Sequence, residues 1–222
     1  MKTPLFIAIQ GSYTTLKLAL FKGNFCFEQI EEINKKASSL LIPLIKTLLE
    51  KHKIQLCNLD FISTDQGPGA FTSLRVTIST VNGISFAQHI PLIGIDGLKA
   101  LAQETNATPL LNAFNNEVYY ALPHAKGYKK IEMVLQEIQA SKQKEIYFSG
   151  NGAVLHKSLI TQTLTNKKIS FIMQNTCSTQ QIAKMALQFW QQKKNMKNKL
   201  YPLYLKSQNF AIRSKPNTSH AA

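Results

Sequence analysis

The stretch from Thr64 to Leu98, T-D-Q-G-P-G-A-F-T-S-L-R-V-T-I-S-T-V-N-G-I-S-F-A-Q-H-I-P-L-I-G-I-D-G-L, constrains the fold more than any other part of the chain. It begins at the end of a short apolar run, Phe61 to Thr64, which reads as a strand. Gly67-Pro68-Gly69 then forms a turn, because glycine reaches backbone angles that other residues resist and proline fixes its own. Thr72 is the expected N-cap of a helix running to about His89, where Pro91 stops it. Pro91 to Ile95 reads as the next strand. Strand, glycine turn, helix and strand make one βαβ unit, which calls for an α/β fold.

The helix of that unit has two uncharged sides. Leu74, Ile78, Val81 and Ile84 form one apolar face on a 100° wheel. The opposite face holds Val76, Ser79, Thr80, Gly83, Phe86 and Ala87, where a surface helix would carry charge. Ser79, Gly83 and Ala87 recur every four residues, a spacing that lets another backbone approach closely. The expected helix from Ser38 to Lys53 is similar, with Leu40, Leu41, Ile42, Leu44, Ile45, Leu48 and Leu49 exceeding what one sheet covers. Both helices are therefore expected to be packed on two sides.

Around this unit, Pro4 to Gln10, Leu16 to Phe21 and Phe25 to Ile30 read as strands, the last two joined by a turn at Lys22-Gly23-Asn24. A short helix is expected from Gly97 to about Glu104. In the second half, Pro109 to Phe114, Val118 to Leu122 and Tyr128 to Leu135 read as strands. Ile146 to Ser149 and Lys168 to Met173 do too. A helix is expected after Gly150-Asn151-Gly152 to about Leu164, and another from a Ser178 cap to about Gln192, before a basic link over Lys193 to Lys199.

Charge is unevenly placed. All twelve carboxylates lie at or before Glu145, where fifteen basic residues leave a balance of +3; residues 146–222 carry eleven basic residues and no acidic one. A basic half of this kind fits a polyanionic partner, and Lys193, Lys194, Lys197 and Lys199 are the candidate RNA contacts. No apolar run approaches the roughly 20 residues of a membrane span. Gln10 and Gly11 cut the apolar start short of a signal peptide, so a cytoplasmic protein is expected. Cys26, Cys57 and Cys177 show no C-x-x-C spacing and read as buried free thiols.

The run G-P-G-A-F-T-S-L-R at Gly67 to Arg75, with P-L-I-G-I-D-G-L after the helix, resembles the TsaB family, formerly YeaZ. N-A-F-N-N-E-V-Y at Asn112 to Tyr119 and P-L-Y-L-K at Pro202 to Lys206 are fainter echoes. Ala70 and Ser73 depart from the family's usual Ser and Gly. The resemblance implies a two-lobed actin-like α/β fold with mixed sheets. Residues 1–105 would form an N-terminal lobe carrying the docking helices, 106–213 a basic C-terminal lobe, and 214–222 a disordered tail. It also implies a non-catalytic subunit with no cofactor or metal of its own. Its partners would be a TsaD-like catalytic subunit and a TsaE-like ATPase, a second copy when the partner is absent, and tRNA through the complex. The expected interface is Val76, Ser79, Thr80, Gly83, Phe86 and Ala87 with Leu41, Leu44 and Leu48. Gly67, Pro68, Gly69, Phe71, Thr72 and Arg75 form the motif turn.

Chemistry elsewhere is sparse. Actin-like kinases end the first strand with an acidic residue that helps hold the nucleotide's metal; here Gln10 stands there, and a neutral amide does not supply that charge. His52, His89, His124, His156 and His220 include no pair at i, i+4. Gly67-Pro68-Gly69 and Gly150-Asn151-Gly152 are candidate phosphate or nucleotide turns, since a glycine turn opening a helix points N–H groups at an anion. Asp65 and Asp96 are the candidate general bases, set against capping roles. Arg75 is expected in an ion pair, within the chain or across an interface, and Glu117 and Tyr119 in a structural hairpin. Two other readings remain at this point: a divergent actin-fold ATPase, kinase or glycoprotease-like enzyme, and a free-standing RNA-binding module.

Overall fold

A computed structural model describes residues 2–33 and 37–206. The tail expected at 214–222, with His220 and Arg213, lies outside the described residues.

Three strands open the chain, β1 (Leu5–Gln10), β2 (Thr15–Lys22) and β3 (Phe25–Ile33), followed by helix α1 (Ala37–Lys51). The βαβ unit follows as β4 (Phe61–Asp65), α2 (Phe71–Gln88) and β5 (Leu92–Ile95), and then α3 (Gly97–Thr105). The second half repeats this order with β6 (Thr108–Asn112), β7 (Glu117–Leu122), β8 (Ala125–Lys130), α4 (Ile131–Ala140), β9 (Glu145–Ser149), α5 (Asn151–Leu155), α6 (Lys157–Thr163), β10 (Lys168–Phe171) and α7 (Thr179–Gln191). A two-residue strand β11 (Met196–Lys197) comes last.

The first sheet has the order β11-β5-β4-β1-β2-β3 and the second β10-β9-β6-β7-β8. In each, three parallel strands continue into an antiparallel hairpin pair. The two-lobed α/β arrangement implied by the resemblance is therefore present, and the lobes share one strand order.

Helices cover both faces of the first sheet, so Phe6, Ile7, Ala8 and Ile9 on β1 are all fully buried. That is why β1 reads as a continuous apolar run rather than an alternating one. On one face, Leu41, Ile45, Leu48 and Leu49 of α1 and Leu74, Ile78 and Val81 of α2 share a core with β1, β2 and β4. On the other, α3 and α7 join a core that reaches Leu111 and Tyr119 of the second lobe.

Several sequence expectations change. Helix α2 starts at Phe71 with Ala70 as its N-cap and no side-chain cap, so Thr72 lies inside its first turn. Residues 128–135 are not one strand: β8 ends at Lys130 and α4 begins at once, its apolar residues Ile131, Val134, Leu135 and Ile138 repeating at helical spacing. The helix expected up to Leu164 is two short ones that meet at His156. The tract 106–213 is not wholly a second lobe. Helix α7 packs on β1, β2, β4 and β5, and β11 extends the first sheet beside β5. Among the described residues, no helix is long and apolar enough to cross a membrane.

Candidate functional site

Helix α2 presents a stripe that is left uncovered among the described residues. Its inner face is buried through Leu74, Thr77, Ile78, Val81 and Ser85. On the outer face Ser79, Gly83, Phe86 and Ala87 are exposed, while Val76 and Thr80 are half-buried. Phe86 keeps 84% of its surface open. A Cβ placed on Gly83 would meet nothing within 4 Å, so no part of the described chain requires a glycine there. Next to the stripe, α1, α2 and residues 54–56 enclose an apolar groove of about 260 Å³ lined by Ile42, Ile45, Leu49, Ile54, Leu56 and Ile84. Two expected interface residues are corrected: Leu41 and Leu48 are 1% and 0% exposed and belong to the chain's own core. Leu44 is half-buried against that core. The 3.6-residue turn sends Leu41, Ile45 and Leu48 inward and leaves Ile42, 63% exposed, on the outer side.

Three sequence motifs that lie far apart in the chain meet beside α2. The Arg75 Nε donates to the Tyr204 hydroxyl at 2.8 Å, and its guanidinium lies 3.6 Å from the centre of the Phe71 ring. Arg75 has no carboxylate partner among the described residues, so within the chain aromatic packing stands in place of an ion pair. Leu203 donates its N–H to the Gln66 carbonyl at 2.7 Å, and the Gln66 side chain donates to the Tyr201 carbonyl at 2.8 Å. Lys206 pairs with Glu117. The echoes at 112–119 and 202–206 are thereby tied to the Gly67–Arg75 turn or to each other. Glu117 and Tyr119 do lie in a hairpin, on β7 facing β6 and β8.

Residues 198–204 run antiparallel to α2 as a strap. Ser85 Oγ donates to the Asn198 carbonyl at 3.2 Å. Asn82 both donates to and accepts from the backbone of Leu200, at 2.9 and 2.8 Å. Tyr204 reaches Arg75 one helix end away. Sequence reasoning missed Asn82 and Leu200. The available signal was a lone amide between two apolar positions of the helix, Val81 and Ile84.

The candidate phosphate turn at Gly67 is spent on internal contacts. The Gly67 N–H goes to Asp65 Oδ1 at 2.7 Å and the Ala70 N–H to the Ser12 carbonyl at 2.7 Å. A Cβ on Gly69 would come within 2.5 Å of that same carbonyl, so this glycine serves close backbone approach. Asp65 is 2% exposed. Burial pushes its carboxyl up to about 6 from 3.8, against contacts with Ser12, the Gly67 N–H and Gln10 that favour the ionised form. Gln10 is fully buried beside it; its Nε2 donates to Ser12 Oγ at 2.9 Å while its Oε1 has no partner among the described residues. A second carboxylate at position 10 would force two acids into one dry site, which a neutral amide avoids.

Asp96 caps α3 through the Lys99 N–H and pairs with Lys126. At the other glycine turn, the Gly150 and Asn151 N–H groups go to the carbonyls of Gln174 and Asn175 at 2.8 and 2.9 Å, and Asn151 Oδ1 accepts from the Asn112 N–H at 2.9 Å. A Cβ on Gly150 or Gly152 would collide with the Leu110 carbonyl, so both glycines serve packing of α5 on β6. Among the described residues, no group of three or more His, Cys, Asp or Glu side chains is placed to hold a metal ion. Cys26 is half-buried and Cys177 buried, but Cys57 is exposed, contrary to expectation.

The four candidate RNA lysines are all exposed. Lys193 borders a cavity with Lys2 and Trp190. Lys197 and Lys199 border another with Lys99 and Tyr201. Lys194 borders neither of them.

The family described as TsaD, tRNA N6-adenosine threonylcarbamoyltransferase, matches residues 28–218. The tRNA threonylcarbamoyladenosine biosynthesis protein TsaB of Buchnera aphidicola subsp. Acyrthosiphon pisum is 27% identical over 124 residues, 53% of this chain and 56% of that protein. The protein of the same description from Buchnera aphidicola subsp. Schizaphis graminum is 31% identical over 100 residues, 45% of this chain and 48% of that protein. The chain thus spans about half the length of these curated relatives. YeaZ from Pseudomonas aeruginosa has the same fold, with a TM-score of 0.74 at 20% identity over 90% of this chain and 100% of that one. The family match over residues 28–218 agrees with the TsaB relatives, and the chain belongs to the TsaD-related TsaB (YeaZ) family.

Proposed function

We propose that the chain is a non-catalytic subunit in tRNA threonylcarbamoyladenosine biosynthesis, docking a TsaD-like catalytic subunit through the outer stripe of α2 and the groove beside it. The observation that carries this reading is Gly83. A mid-helix glycine costs about 1 kcal/mol relative to alanine, and nothing in the described chain occupies the space it leaves. A second helix laid on the stripe would use that space, since packed helix axes lie about 8–10 Å apart and reach the close end of that range where the contact residues are small. Phe86 would then enter the partner as a desolvated aromatic anchor.

Relatedness to the TsaD family supports a like-on-like contact. A partner of that family offers an equivalent helix pair, so the stripes of α1 and α2 would meet their counterparts. The same logic allows a second copy to occupy the stripe when the partner is absent. Nucleotide and metal chemistry belong to the partners in this reading, with a TsaE-like ATPase joining the assembly, tRNA reached through it, and the cytoplasm as the place of work. The inward-directed amides at both glycine turns and the neutral Gln10 support a chain without a cofactor of its own.

Reconstitution tests the proposal. The purified chain, a TsaD-like subunit, a TsaE-like subunit and tRNA are combined with the threonylcarbamoyl donor, and the modified nucleoside is measured by mass spectrometry. Omitting the chain should abolish multiple-turnover modification. Equal rates with and without it would overturn the reading.

A further inference from the structure

A cavity of about 630 Å³ opens where α3, the end of α7 and residues 195–203 come together. Met185 and Phe189 of α7 give it an apolar wall, and Lys99, Lys197 and Lys199 stand on its rim. None of the three lysines has an ion-pair partner among the described residues. Asp96 is the one carboxylate on the lining, and Lys126 pairs with it. Tyr201 is 66% exposed at the mouth, with the Lys199 ammonium 5.2 Å from its ring centre.

The rim is built on fixed backbone. β11 pairs with β5 through Met196–Ile93 and Lys197–Leu92, which aims successive side chains to opposite sides. Lys197 thus lines this cavity while Met196 lines the neighbouring one. The Asn82 clamp on Leu200 and the Gln66 contact to the Tyr201 carbonyl hold Lys199 and Tyr201 at their posts.

From this arrangement we infer that the cavity binds single-stranded RNA, its phosphates spread over Lys99, Lys197 and Lys199 and a base against Tyr201. The volume suits a nucleotide. Ammonium groups on flexible stems track a backbone, and an exposed aromatic face accepts any base, the combination that sequence-tolerant single-strand binders use. The choice of RNA over other polyanions rests on the proposed function. The strap that carries Lys199 and Tyr201 lies along α2, so RNA held here would run beside a docked catalytic subunit.

Fluorescence anisotropy of the full chain with a labelled single-stranded RNA oligonucleotide, titrated against salt, tests the site. The variant Lys99→Gln/Lys197→Gln/Lys199→Gln should weaken binding roughly tenfold or more near physiological salt. It should also flatten the slope of log K against log salt by about 2, as three lost phosphate contacts require. Tyr201→Ala should weaken binding about tenfold, and Tyr201→Phe should retain it. A control of equal charge change on the second lobe, Lys130→Gln/Lys142→Gln/Lys144→Gln, should bind as the parent does. An equal loss in the control, or displacement of the RNA by stoichiometric ATP, would overturn the assignment. Gly83→Leu separates the two readings: it should lose the catalytic subunit and keep RNA, whereas the lysine variant should keep the catalytic subunit and lose RNA.

Discussion

Asn82 grips Leu200 by both backbone polar groups, its Nδ2 donating to the carbonyl at 2.9 Å and its Oδ1 accepting from the N–H at 2.8 Å. The pairing copies a strand ladder with a side-chain amide. It lets an irregular segment lie against a helix without unpaired backbone, while the Leu200 side chain enters the α1–α2 core. The helix and the strap of residues 198–204 are therefore one mechanical unit.

Asn82→Ala should destabilise the chain by about 1–3 kcal/mol, because it strands the donor and acceptor of Leu200. Hydrogen exchange should show the amides of residues 198–204 opening faster, with those of β1 unchanged. An unchanged melt with unchanged exchange would mean the strap is held by Leu200 burial alone.

Gly83→Ala separates stability from assembly. The added methyl meets open space, so the isolated chain should gain up to about 1 kcal/mol in chemical denaturation. Association through α2 should weaken at the same time. A variant that is less stable than the parent would show that the face is covered within the chain.

Asp65 gives a pH signature. Its carboxyl is raised to about 6 in the folded chain from 3.8, so the folded state binds the proton more tightly than the unfolded one. That group's contribution is therefore most favourable below about pH 4 and is lost as pH rises through 6, a span of at most about 3 kcal/mol. Asp65→Asn keeps an acceptor for the Gly67 N–H and removes the buried titrating group. It should raise stability at pH 7–8 and remove the decline between pH 4 and 6. Thermal melts across that range check both; parallel profiles for parent and variant would show that Asp65 titrates normally.

Much of the first lobe was legible because its signals are local. The apolar run of β1, the Gly67–Gly69 turn and the inner apolar face of α2 each follow from residues within a few positions of one another. What failed depends on partners distant in sequence. Leu41 and Leu48 look the same as Ile42 on a leucine-rich helix until the sheet beneath selects which turn faces inward. Arg75 invites a carboxylate, but its neighbours within the chain, Phe71 and Tyr204, are aromatic. The strand expected over residues 128–135 fused β8 with α4, because no turn residue separates Lys130 from Ile131. The return of α7 and β11 to the first sheet had no sequence signal, since a basic link reads the same whether it crosses solvent or pairs with β5.

The affinity of the chain for a TsaD-like catalytic subunit, measured by calorimetry for parent, Gly83→Leu and Phe86→Ala, tests the account most directly. Phe86→Ala should melt as the parent does, and Gly83→Leu should melt no lower than the parent, because position 83 faces open space and leucine favours the helix over glycine. Gly83→Leu should abolish binding, and Phe86→Ala should weaken it by roughly 30-fold or more, the loss of an interface anchor worth about 2 kcal/mol. Parent-like affinity in both variants, with both chains folded, would contradict the assignment of α2 as the docking helix.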